Sequence, residues 1–179
     1  MPKQKPQPLV IWTIGHSNRP VETFLELLKV HGVKQIFDVR TLPGSKKYPQ
    51  FNKEALSKSL REKGIGYRHL KNLGGLRHPF PDSINQGWEN ASFRGYADYM
   101  QTKAFEENLG KLILWAQKKP SAFMCAEALP WRCHRSLIAD ALVVRGIEVK
   151  HIMSKTQAKP HALTSFAKVD GKKITYPGS

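Results

Sequence analysis

Apolar residues recur along this chain in two rhythms. Short unbroken runs read as buried strands, and positions three and four apart read as helix faces. Leu9 to Ile14 is such a run, stopped by Gly15. Pro20 then opens a helix on which Val21, Phe24, Leu25 and Leu28 share one face, with Gly32 just past its end. Val33 to Val39 is a second strand. Asn52 is placed to cap a helix running to about Lys63, and Gly64 closes it. Ile65 to Leu70 is a third strand. Tyr96, Tyr99 and Met100 lead into a helix through Leu109, Leu112, Ile113 and Ala116. Phe123-Met124-Cys125 is the fourth strand, the helix of Leu137 to Leu142 ends at Gly146, and Ile147 to Ile152 is the fifth strand.

Strands alternating with helices predict an α/β fold: one domain, with a mostly parallel, Rossmann-like sheet of about five strands and helices on both faces. The domain is expected to span 9–153. Residues 1–8, rich in Pro and Lys, read as a disordered basic tail. Residues 71–93 lack a sustained period and hold Gly74, Gly75, Pro79, Pro81 and Gly87, so a long loop is expected, with the paired glycines as a hinge. Residues 154–179 read as a basic, irregular C-terminal arm. No internal repeat interrupts this pattern.

Charge changes the picture more than size does. Lys and Arg total 29 against 14 Asp and Glu, a formal +15, which favours a polyanionic partner, nucleic acid first. A solvated basic surface explains the same excess without any partner. No apolar run approaches the roughly 20 residues of a membrane helix. The basic opening is followed by only a short apolar strand, so no secretory leader is read and a cytoplasmic setting is expected. Cys125 and Cys133 are then expected as thiols, although their spacing permits a disulfide.

In parallel sheets, ligands gather beyond the carboxyl ends of the strands. That rule brings His16 and Ser17, Asp38 and Arg40, and the stretch Met124 to Ser136 to one rim. The last stretch, M-C-A-E-A-L-P-W-R-C-H-R-S, reads as strand, loop and helix N-terminus. A helix N-terminus offers unpaired N–H groups to anions, and arginines add forked donors. Ser17, Arg40, Arg132 and Arg135 are therefore the expected anion-binding residues. His16, Asp38, Glu127 and His134 are candidates for proton transfer. Cys125, at a strand end near arginines, is the candidate nucleophile. Capping by Ser17, an ion pair of Asp38 with Arg40, and a core-filling Cys125 are the plainer readings of the same residues.

Cys133 falls in step with Leu137, Ala141 and Val144 and is expected in the core. A zinc site built from Cys125, Cys133, His134 and His16 is disfavoured, because neighbours on a helix point about 100° apart. No metal or cofactor is called for. Lys46 and Lys47 beside Tyr48, with Arg68, Arg77 and Arg94, are the expected nucleic-acid contacts.

Several stretches together resemble the prokaryotic domain-of-unknown-function family 488: T-I-G-H-S at Thr13 to Ser17, D-V-R at Asp38 to Arg40, Leu73-Gly74-Gly75, Tyr96-Ala97-Asp98-Tyr99-Met100, M-C-A-E, and C-H-R-S at Cys133 to Ser136. The resemblance implies a cytoplasmic α/β domain and no established activity. A looser similarity links the cysteine-before-arginine order to rhodanese-type sulfurtransferases and cysteine phosphatases. Six residues without glycine separate Cys125 from Arg132, longer than the phosphatase loop, and Leu129-Pro130-Trp131 is bulky for a phosphate cradle. What carries over is an anion site at a strand end, not the named chemistry. Two functions follow: an enzyme for a phosphate-bearing small molecule or nucleic acid, or a nucleic-acid-binding module without catalysis. A thiol- or metal-dependent redox protein is a third.

Overall fold

The computed structural model describes residues 7–178. Its centre is a six-stranded sheet in the order β3-β2-β4-β1-β5-β6. The strands are β1 (Val10–Gly15), β2 (Gln35–Asp38), β3 (Gly66–His69), β4 (Ser121–Cys125), β5 (Glu148–Ile152) and β6 (Ala158–Pro160). The first five are parallel, as the alternating pattern requires; β6 is antiparallel to β5. The helices are α1 (Val21–Val30), α2 (Lys53–Glu62), α3 (Ala91–Tyr99), α4 (Lys103–Ala116) and α5 (Arg135–Val143).

Strand alternation divides the core into two layers. Phe123 and Cys125 of β4, with Ile11 and Phe37, pack against α3, α4 and α5. Ala122 and Met124, with Ile14 and Ile36, pack against Phe24, Leu27 and Leu28 of α1 and Leu56 and Leu60 of α2. Both faces are covered, so β2 and β4 are buried at every position. No helix among the described residues is long and apolar enough to cross a membrane.

Capping departs from expectation twice. Asn52 precedes α2, but its Oδ1 accepts from the Ser45 N–H at 2.6 Å and not from the helix. Pro20 precedes α1 with no side-chain cap, so neither Ser17 nor Asn18 caps it. Of the expected basic tail, residues 1–6 lie outside the described residues.

The irregular C-terminal arm is overturned. β6 extends the main sheet, and β7 (Lys168–Asp170) and β8 (Lys173–Thr175) form an antiparallel hairpin. Ile174 and Tyr176 are buried in the α5-side core. The Tyr176 hydroxyl donates to Asp140 Oδ2 at 2.7 Å. Segments this short hold too few apolar residues to show a period. The long loop is organised as well. Buried Asp98 accepts from the Phe80 N–H and from the side chains of Ser83 and Asn85. Trp88 packs edge-on against Phe93 and Phe166.

Candidate active site

The backbone ladder brings the strand ends together beyond its last pairs. The His16 N–H donates to Cys125 O at 3.0 Å, and the Ser17 N–H to Ala126 O at 2.9 Å. Gly15 makes this approach possible, since a Cβ there would overlap the Glu127 carbonyl oxygen. Ser17 sits at φ 51°, a left-handed backbone held beside the site. A cavity of about 570 Å³ opens here. Its lining includes His16, Ser17, Arg40, Lys47, Glu127 and Arg132, with Cys125, Cys133 and His134.

On one side, Asp38 is fully buried and its acceptors are occupied. Oδ1 accepts from the Arg40 backbone N–H and Nε, and Oδ2 from Arg40 Nη2 and the Tyr67 hydroxyl. Asp38 does not line the cavity. Its hydrogen bonds hold Arg40 in place at the cavity wall. Arg40 Nη1 is left facing the cavity, 3.3 Å from His16 Nε2. The His16 Nδ1–H donates to Ser17 O at 2.8 Å, which leaves Nε2 as an acceptor. Burial lowers the pKa of His16 below its ordinary value, and its ring stacks on Phe51.

Opposite lies an arrangement that the pattern of apolar positions does not reveal. Cys133 stands in extended backbone ahead of α5, after a single 3₁₀ turn at Pro130–Arg132. Helical spacing therefore does not apply to it; it is buried in the α5-side core, as expected, and also lines the cavity. Its sulfur is 2.7 Å from that of Cys125, with both thiols free. Pro130 is the sequence signal that delays the helix start and turns Cys133 toward the cavity.

Arg135, an expected anion contact, is 1% exposed and does not line the cavity. Its Nε donates to Cys125 Sγ at 3.0 Å and its backbone N–H to Cys133 Sγ at 3.4 Å. Nη1 donates to Thr13 Oγ1 at 2.8 Å, and Nη2 to the Glu127 and Ala128 carbonyls. Among the described residues no carboxylate pairs with it. A buried unpaired charge is costly, and the nearest groups able to carry a negative charge are the two thiols. The hydrogen bond from Cys125, helped by the charge and N–H of Arg135, brings Cys133 down to about 7 against the cost of burial. Burial and the neighbouring sulfur push Cys125 well up. The two sulfurs are thus unlike, and Cys133 is the more readily ionised.

His134 completes the cluster. Its Nε2–H donates to the Val39 carbonyl at 2.8 Å, so Nδ1 is the free acceptor, 3.4 Å from Cys133 Sγ. Burial lowers its pKa, which keeps the ring neutral and able to accept a thiol proton. Gly75 lies against this ring: a Cβ there would come within 3.2 Å of Nδ1. A side chain at this position would crowd the ring.

A polar chain leads away from the thiols. Thr13 Oγ1 lies 2.6 Å from His151 Nδ1, His151 Nε2 lies 2.8 Å from His161 Nδ1, and His161 Nε2 donates to Asp140 Oδ1 at 2.7 Å.

The remaining expected residues divide by position. Glu127 and Arg132 line the cavity; Glu127 Oε1 accepts from the Leu129 N–H, and Arg132 makes no ion pair among the described residues. Lys47 lines it from the loop after β2, whereas Lys46 is exposed outside it. Arg68, Arg77 and Arg94 do not line it. Arg68 stacks over Trp115, Arg77 over Tyr99, and Arg94 donates to the Glu89 carbonyl. Tyr48, Phe93 and Tyr96 supply aromatic wall, and Leu42 and Leu76 stand at 72% and 74% exposure beside it. Among the described residues no group of three or more His, Cys, Asp or Glu is placed to hold a metal ion.

No curated protein and no solved structure matches the chain significantly. A family model does, across D-V-R, the Leu73-Gly74-Gly75 segment, the Asp98 helix and the Cys125–Arg135 cluster. Matched by that model over residues 20–142, the chain belongs to the family described as Domain of unknown function DUF488.

Proposed function

We propose that the protein is an enzyme that takes a phosphate-bearing substrate, a nucleotide or nucleic acid, into the cavity at the carboxyl ends of the strands. The Cys133 thiolate attacks it. The observation that carries this reading is buried Arg135, whose guanidinium donates to Cys125 and whose backbone N–H donates to Cys133, with no carboxylate paired to it among the described residues. Such an arrangement is a way to keep a thiolate near neutral pH, which a core-filling cysteine does not need. His134 Nδ1 takes the proton when Cys133 starts as a thiol, and Cys125 steadies the negative sulfur. Arg40, Lys47 and Arg132 offer positive charge to the phosphate, while Tyr48, Phe93 and Tyr96 suit a base or other flat group. His16 and Glu127 are the remaining proton donors and acceptors at the wall. Two free thiols suit a reducing, cytoplasmic setting.

Alkylation of Cys133 tests the reading directly. Reaction with iodoacetamide should rise through a pH of about 7 and vanish in Cys133→Ser. A nucleoside monophosphate should slow it, and Arg132→Ala should remove that protection. Alkylation indifferent to every phosphate compound at low salt would overturn the substrate class. The alternative, a nucleic-acid-binding module without turnover, is favoured by the +15 charge and the exposed Lys46-Lys47 pair near the cavity. In that case Cys133→Ser would keep full nucleic-acid affinity.

A further inference from the structure

We propose that Cys125 and Cys133 are an oxidisable pair that a small hydroperoxide converts to an intramolecular disulfide, a modification site at the base of the cavity. The proposal rests on the reading of Cys133 as the reactive thiol and adds what happens to it without substrate. Three observations on the page lead there. The sulfurs stand 2.7 Å apart although they come from different elements, the end of β4 and the residues before α5. Both residues line an open cavity yet are only 3% and 7% exposed, which admits a small oxidant and hinders a bulky one. Arg135 touches both sulfurs, its side chain at Cys125 and its backbone N–H at Cys133.

The chemistry balances with hydroperoxide as the oxidant. The Cys133 thiolate attacks the terminal peroxide oxygen, an S–O bond forms, and the O–O bond breaks. The departing oxygen takes a proton from solvent and leaves as water or an alcohol, so Cys133 becomes a sulfenic acid. Cys125 Sγ then attacks the Cys133 sulfur and the S–O bond breaks. The hydroxyl leaves as water with the Cys125 proton. Two electrons have passed from the two sulfurs to the peroxide. A dithiol reverses the change by exchange, restoring both thiols and becoming a disulfide itself. In the disulfide form the nucleophile is absent, so the proposed reaction stops while the cationic wall of the cavity stays in place.

Full-length reduced protein treated with stoichiometric hydrogen peroxide provides the test. Its mass should fall by two hydrogens, both titratable thiols should disappear, and a Cys125–Cys133 linked peptide should be recovered without reductant. Dithiothreitol should return both thiols. In Cys125→Ser the sulfenic acid on Cys133 should persist and be trapped by dimedone. In Cys133→Ser oxidation of Cys125 should be at least about tenfold slower. Circular dichroism of both variants separates a thiol effect from a folding effect. Two thiols that still titrate in the folded, peroxide-treated protein would overturn the proposal, as would linkage only between molecules. Protection by a nucleoside monophosphate is measured in the reduced protein, so the two ideas fail separately. Protection without a disulfide sinks only the oxidisable pair; a disulfide without protection sinks only the phosphate-bearing substrate.

Discussion

The Arg135 guanidinium donates to the Cys125 sulfur, a hydroxyl and two carbonyls, and its backbone N–H donates to the Cys133 sulfur. Replacing Arg135 by Met leaves the four side-chain acceptors buried without that donor and removes the cation near Cys133. Arg135→Met should lower unfolding free energy by about 3 kcal/mol or more, measured in urea. The midpoint of Cys133 alkylation should also move to higher pH, a change that lost packing alone does not cause. Arginine near a helix start reads naturally as a hand held out to a ligand. Its neighbours in sequence do not show that it folds back under the loop to serve the protein's own thiols. Cys133 is hidden for a related reason: its spacing from Leu137 mimics a helix stripe, and only the turn at Pro130 breaks the register.

At the scale of elements, β2 and β4 are legible because each lies in an apolar run buried at every position, whereas β3 is only partly buried and gives a weaker signal. β6, β7 and β8 are three residues each and hold too few apolar positions for a local period to announce them. His151 on β5 depends on one of these partners, His161, next to β6. Burial, with the charges of His161 and Arg135, lowers His151 to about 3. The unfolded chain binds a proton there near its ordinary value of about 6.5, whereas the native protein binds it only near 3. Its contribution is therefore complete above pH 6.5 and is lost as pH falls toward 3, at most about 1.4 kcal/mol per pH unit. Buried His16 and His134 act in the same direction. Urea midpoints should fall between pH 7 and pH 5, and His151→Gln should flatten that slope. An unchanged slope would place the proton uptake elsewhere.

The whole molecule carries a formal +15, yet several of its cations are engaged in its own structure. Arg135 is buried, Arg40 is clasped by Asp38, and Arg68 and Arg77 lie on aromatic rings. Total charge thus overstates what a polyanion would meet. If DNA or RNA binds, the slope of log affinity against log salt should correspond to only a few phosphate contacts. Fluorescence anisotropy over a salt series measures it, and Lys46→Ala with Lys47→Ala should make it shallower. A slope unchanged by that pair would move the contact surface away from the cavity.

The central position of β1 bears on what can be cut away. It lies between β4 and β5, joining the two halves of the sheet, and it supplies Thr13 with His16 just beyond its end. The stretch shared with the family begins only at residue 20 and stops at 142, before β5. A gene trimmed to that stretch would encode a sheet missing its middle plank, with Arg135 stripped of Thr13. Expression work on this protein should keep the chain from β1 through Tyr176 intact.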